Sequence, residues 1–207
     1  MTFRALNHLR SCDLILAEDT RQTKKLLNHF EINNSVESYH QNNEHGKLSY
    51  VIHKLTQGLH ITYCTDAGTP GISDPGFLLV REAIAQNIKV ECLPGATAFV
   101  PALVASGLPC DRFVFEGFLP HKKGRQKRLT NLIDEERTMV FYESPHRILK
   151  TLNQFVEFFG SERGASISRE ISKMHESQYR GTLAEVIEQL AADTVKGEFV
   201  VCIAGKP

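Results

Sequence analysis

The chain is 207 residues long, 42% hydrophobic and formally uncharged, with 24 basic and 24 acidic side chains. This composition excludes a disordered or low-complexity chain, and the length allows one large or two small domains. No apolar run approaches the roughly 20 residues of a membrane span, and the first residues lack the apolar stretch of a secretory signal. A cytoplasmic protein with no membrane partner is therefore expected, and any polyanion it meets must be recognised by a local patch.

Apolar, β-branched runs at Asp13–Ala17, Leu59–Thr65 and Lys89–Leu93 predict strands. Helical periodicity between and around them predicts helices over Asp19–Phe30, Glu44–Gln57 and Pro75–Gln86. Strands alternating with helices imply a parallel sheet with right-handed crossovers. The segment Ser106–Asp111 interrupts both periods with Gly and Pro and sets a boundary between residues 1–110 and 111–207. Beyond it, strands are predicted at Arg112–Glu116, Thr138–Tyr142, Ala165–Ser168 and Glu198–Ile203. Helices are predicted at Arg125–Glu135, Pro145–Phe159 and Thr182–Ala192, the last opened by a Thr182/Glu185 capping box. The five cysteines are far apart with no C-x-x-C pair, which favours buried free thiols over disulfides or zinc.

The most informative segment is Asp66–Gly76, where a strand empties into a loop holding three glycines, two prolines and two aspartates before a helix begins. Glycine lets backbone approach a ligand closely, proline stiffens the loop, and open α/β sheets place ligands at the carboxyl ends of their strands. Pro94–Ala98 repeats the design after the next predicted strand, with Thr97 as a plain helix cap in the simpler reading. Glu18–Arg21 also ends a strand, and Asp19 or Thr20 can cap the following helix as well as take part in chemistry. In Tyr142–Arg147, capping accounts for Ser144 and Pro145 but leaves Glu143, His146 and Arg147 unexplained. The charges of Arg169–Glu176 read most simply as a solvated loop. His121–Arg128 packs five Lys/Arg into eight positions. In an uncharged chain this points to phosphate contact, and the lack of interleaved aromatics argues for backbone rather than base recognition.

Taken in order, residues 17–21, the Asp66–Gly76 loop, Pro94–Ala98, Glu116–Pro120, Tyr142–Arg147, Arg169-Glu170 and Lys173–Glu176 resemble the motifs of the ribosomal RNA small subunit methyltransferase I family of the tetrapyrrole methylase superfamily. The resemblance implies two α/β domains with a cofactor cleft between them and S-adenosylmethionine as cofactor. It also implies a homodimer and methylation of a cytidine ribose 2′-hydroxyl in the 16S rRNA of the small ribosomal subunit. The implied cofactor contacts are Asp66, Gly68, Asp74, Phe77, Pro94, Gly95, Thr97, Ala98, Tyr142 and Glu143. Glu18, Asp19, Arg169 and Lys173 are candidates for orienting or deprotonating the substrate. Arg21, Lys122, Lys123, Arg125, Lys127, Arg128, His146 and Arg147 are the candidates for holding it. The family begins with a strand and a Pro-Ile-Gly-Asn-type loop upstream of the residues resembling Met1–Leu6, so a first strand and loop are expected to be missing here. A C-terminal helical segment of many relatives is also expected to be absent. Methyl transfer of this kind calls for no metal. Methylation of a small tetrapyrrole on the same scaffold, or an RNA-binding module without activity, are the alternatives.

Overall fold

The computed structural model describes residues 1–207. Its contacts divide the chain into two compact units, Met1–Thr97 and Ala98–Pro207.

The first unit opens with helix α1 (Phe3–Ser11), whose first turn is closed by the Thr2 hydroxyl accepting from the Ala5 amide. Then follow β1 (Leu14–Ala17), α2 (Thr20–His29), β2 (Val36–Ser38), α3 (Glu44–Thr56), β3 (Ile61–Cys64) and α4 (Phe77–Ala85). The three strands pair in parallel in the order β2-β1-β3, with Ile15 opposite both Val36 and Thr62. Alternation on the central strand explains its full burial. Leu14 and Leu16 join Tyr39, Val51, Ile52, Leu79 and Ala83 on one face, and Ile15 joins Leu6, Leu9, Leu27 and Ile32 on the other. A parallel strand covered on both faces reads as an unbroken apolar run, as Leu14-Ile-Leu-Ala17 does.

The predicted strand at Lys89–Leu93 is not formed. These residues pair with no neighbour, and Lys89, Val90, Glu91 and Cys92 are exposed. A β-prone run becomes a strand only where another strand supplies the ladder. α1 and β2 were not foreseen.

The second unit contains α5 (Phe99–Ser106), β4 (Phe113–Phe118), α6 (Arg125–Asn131), β5 (Thr138–Glu143), α7 (Ile148–Phe159), β6 (Gly164–Arg169), β7 (Ser177–Thr182), α8 (Leu183–Ala191) and β8 (Phe199–Ile203). Its mixed sheet runs β4-β5-β8-β6-β7, parallel only between β4 and β5. Met139, Phe141, Phe199, Val201 and Ile203 face a core shared with Leu129, Leu152, Phe155, Val186 and Leu190. Val140, Val200 and Cys202 face Ala102 and Leu103 of α5. That packing is why the contacts change hands at residue 97, whereas the periodicity breaks only near residue 110: α5 lies on β5, β6 and β8. The capping box forms as the sequence requires, with the Thr182 amide donating to Glu185 at 2.7 Å and the Glu185 amide to Thr182 at 3.3 Å. The edge strand β7, mostly polar, was not foreseen.

All five cysteines are free. Cys12 and Cys202 are buried, but Cys92 and Cys110 are exposed, correcting the expectation of burial. The first lies in the unpaired 89–93 segment and the second in the connector before β4. No helix is long and apolar enough to cross a membrane.

Candidate methyl-transfer site

In the first unit the carboxyl ends of β1 and β3 deliver Glu18, Asp19 and Asp66 into one hydrogen-bonded cluster. The Asp66 amide donates to Glu18 Oε2 at 3.2 Å, and the Asp19 amide donates to Asp66 Oδ1 at 3.3 Å. Asp19 also caps α2 through the Arg21 amide at 2.8 Å and receives the Arg21 guanidinium at 2.7 Å, so its capping and electrostatic roles coexist. The Arg21 side-chain and backbone hydrogen bonds hold the Asp19 carboxyl down at about 2. Burial, with the charges of Glu18 and Asp74, pushes the Tyr63 phenol up.

The two glycine loops touch. Thr69 Oγ1 donates to the Ala96 carbonyl at 3.2 Å, and a side-chain carbon added at Gly95 would lie 3.5 Å from Thr69 Oγ1. Gly76 ends the first loop at φ 128° and starts α4; a methyl group there would meet the Tyr63 ring at 3.1 Å. The loop is thus held by its own hydrogen bonds, Gly71 amide to Pro75 carbonyl and Thr65 hydroxyl to Gly68 carbonyl, with the Phe77 ring 64% exposed at its end. The Arg81 guanidinium lies over that ring at 5.4 Å, and the backbone polar groups and carboxylates form a surface suited to a cationic ligand bearing amino and hydroxyl groups. Thr97 is no cap: the cap position of α5 is Ala98, with no side-chain cap bond.

The other sequence candidates lie in the second unit. Glu143 is 2% exposed and both its oxygens are engaged. Oε1 accepts from the Ser144 amide at 2.8 Å and Arg147 at 2.7 Å, and Oε2 accepts from the Thr151 hydroxyl at 2.7 Å, with Arg125 at 4.0 Å. Arg125 is 7% exposed and donates to Gln154, Pro120 and Thr151, so it faces the interior, unlike exposed Lys122, Lys123, Lys127 and His146. Ser144 and Pro145 form a turn before α7, whose cap position is Arg147. Arg169 is also inside, donating to the Lys196 carbonyl and to Asp193, rather than in a solvated loop. Lys173 bridges Glu170 and Glu198 at 3.0 Å each, and the Glu198 amide and Lys173 ammonium hold the Glu170 carboxyl below its usual range. Tyr142 packs its ring against Phe115 and Phe118.

Residues 1–187 match the family model described as Tetrapyrrole (Corrin/Porphyrin) Methylases. A ribosomal RNA small subunit methyltransferase I from Synechocystis sp. is 50% identical over 206 residues, covering 99% of this chain and 74% of the relative. The protein of the same name from Thermotoga maritima is 41% identical over 206 residues, 100% of this chain and 92% of the relative. The chain belongs to the ribosomal RNA small subunit methyltransferase I family of the tetrapyrrole methylases. The solved uroporphyrin-III C-methyl transferase from Thermus thermophilus, complexed with S-adenyl homocysteine, shares this family's fold at a TM-score of 0.64 and 16% identity, covering 100% of this chain and 91% of that one. The structural partners Tyr63, Thr151 and Gln154 escaped notice in the sequence, because their spacing from the motif residues carries no local signal.

Proposed function

We propose that this chain transfers a methyl group from S-adenosylmethionine to the ribose 2′-hydroxyl of a cytidine in small-subunit rRNA. The observation that carries the reading is the contact between the two glycine loops beside the Glu18, Asp19 and Asp66 cluster, in a chain of this family. Asp66, Gly68, Asp74, Phe77, Pro94, Gly95 and Thr97 of the first unit would hold the cofactor. When bound it supplies an electrophilic methyl carbon on a sulfonium, so attack by the hydroxyl oxygen forms an O–C bond while the C–S bond breaks, leaving a neutral thioether.

The hydroxyl proton must go to a base on the protein or to solvent, and the electrostatics separate the candidates. Asp19, held near 2 by Arg21, is a poor proton acceptor. Arg169 is a guanidinium and has no lone pair to offer, and Lys173 is a cation between two carboxylates. Of these four side chains we assign Glu18, oriented by the Asp66 amide, as the proton acceptor, with solvent as the other route. Arg21 and the exposed Lys122, Lys123 and Lys127 supply positive charge for the RNA backbone.

The test supplies the protein with labelled S-adenosylmethionine and either unmodified small ribosomal subunits or a tetrapyrrole. Alkali-resistant label in the rRNA is expected, because a methylated 2′-oxygen can no longer attack the adjacent phosphate. Label in the tetrapyrrole alone overturns the reading.

A further inference from the structure

Strand β4 carries a bulge. Phe115 pairs with Val140 and Gly117 with Phe141, leaving Glu116 as an extra residue with no partner on β5, and Gly117 takes φ 59°. Bulges re-aim side chains, and this one places Glu116 against α6. The Glu116 side chain is 2% exposed, and Arg128 clamps it through two hydrogen bonds of 2.5 and 3.0 Å. A cavity of about 410 Å³ opens beside the pair, lined by Glu116, Phe118, Pro120, Lys127, Arg128 and Asn131 among others.

Three features of this cavity belong together. The Phe118 ring meets Tyr142 at 5.5 Å yet remains 52% exposed. Asn131 is exposed, and its amide makes no hydrogen bond within the protein, leaving a donor and an acceptor free. Glu116 and Arg128 neutralise one another, so Lys127 gives the cavity a net positive charge. An aromatic face, a free amide and a cation at one cavity match the base, base edge and phosphate of a nucleotide. The volume falls within the roughly 300–1,000 Å³ of small-molecule sites.

We propose that this cavity is a subsite for one unpaired nucleotide of single-stranded RNA, its base stacked on Phe118, its edge read by Asn131 and its phosphate held by Lys127. The inference rests on the RNA reading above and revises the expectation that the basic run meets backbone alone. α6 does lack aromatics, but the bulged neighbouring strand brings one to it. A base inside a duplex is already stacked on its neighbours, so only an unpaired one presents a face to Phe118.

Fluorescence anisotropy with a labelled single-stranded oligoribonucleotide, on the full chain, tests it. Phe118→Leu should weaken binding roughly tenfold or more, in line with what stacking on one base contributes, while the slope of affinity against salt stays unchanged because no phosphate contact is lost. Phe118→Trp should restore binding. Calorimetric affinity for S-adenosylmethionine and the melting temperature of Phe118→Leu should match the parent, which separates lost stacking from lost folding. In a parallel experiment on the parent protein, an oligoribonucleotide carrying iodouridine should photo-cross-link to the peptide containing Phe118. Equal affinity of parent and Phe118→Leu, or cross-links confined to other peptides, overturns the subsite while leaving the RNA reading intact. A parent that binds neither the oligoribonucleotide nor the ribosomal subunit overturns both.

Discussion

Replacing Glu143 by Ala should destabilise the second unit strongly, because this carboxylate is the only anion among two guanidiniums in a nearly dry region. Its removal breaks hydrogen bonds from Ser144, Arg147 and Thr151. It leaves Arg147, whose Nη1 already lacks a partner, and the 7%-exposed Arg125 with no countercharge. Breaking a buried pair from one side costs about 3–5 kcal/mol. For a unit of this size that lowers the melting temperature by roughly 4 °C per kcal/mol, or about 12–20 °C in all. Glu143→Gln keeps the volume and one acceptor but turns charge-assisted bonds into neutral ones, a loss of about 2 kcal/mol. Pairing Glu143→Ala with Arg147→Met should cost less than the sum of the two single changes, since the second change removes a stranded charge. Urea denaturation followed by far-ultraviolet circular dichroism gives the total. Hydrogen exchange of β5 and α7 peptides assigns it to this unit, which need not unfold together with the first. A loss below about 1 kcal/mol for Glu143→Ala would refute the argument that Glu143 anchors these cations.

Asp74→Ala should weaken S-adenosylmethionine binding by calorimetry; an unchanged affinity removes Asp74 from the site. In carbon-detected NMR the Asp19 carboxyl should titrate near 2 and move towards 3.8 in Arg21→Gln. A carboxyl depressed in the folded state stabilises it above the unfolded value and loses that contribution as pH falls through the folded one, so the Asp19 contribution should fade between about pH 4 and 2. Changing exposed Lys122, Lys123 and Lys127 together to Gln should flatten the log–log salt dependence of RNA binding by at most about 2 to 3, at 0.7–0.9 per lost phosphate contact. Thr182→Ala should cost about 1 kcal/mol through the lost cap, seen as faster amide exchange at the start of α8.

Much of this was legible in the chain because it is local. The strand-loop-helix step at Asp66–Gly76, the Asp19 cap and the Thr182 capping box each lie within a dozen residues and announce themselves through residue type. What escaped depends on distant neighbours. β2 is only three residues long, and β7 (Ser-Gln-Tyr-Arg-Gly-Thr) turns only Tyr179 fully inward, so neither shows the alternation of a buried strand. Lys89–Leu93 shows the right composition but finds no ladder. Arg125 sits in a basic run that reads as solvent-facing, and only the fold reveals Gln154, Thr151 and Glu143 around it. The bulge at Glu116 likewise has no signature beyond the adjoining Gly117, so the meeting of Phe118 with the basic helix was invisible in one dimension.

The distribution of cysteines has a practical consequence. Cys12 and Cys202 are shielded, and burial raises the thiols of Cys64 and Cys202 to about 11 and about 12, so few of those molecules carry the reactive thiolate near neutrality. Cys92 and Cys110 are open to solvent, one in each unit. Maleimide dyes should therefore attach to these two positions without any engineered residue. A donor and acceptor placed there would turn the native chain into its own gauge of how the two halves shift when a cofactor or an RNA arrives, and the same two thiols are where storage in air would first join one molecule to the next.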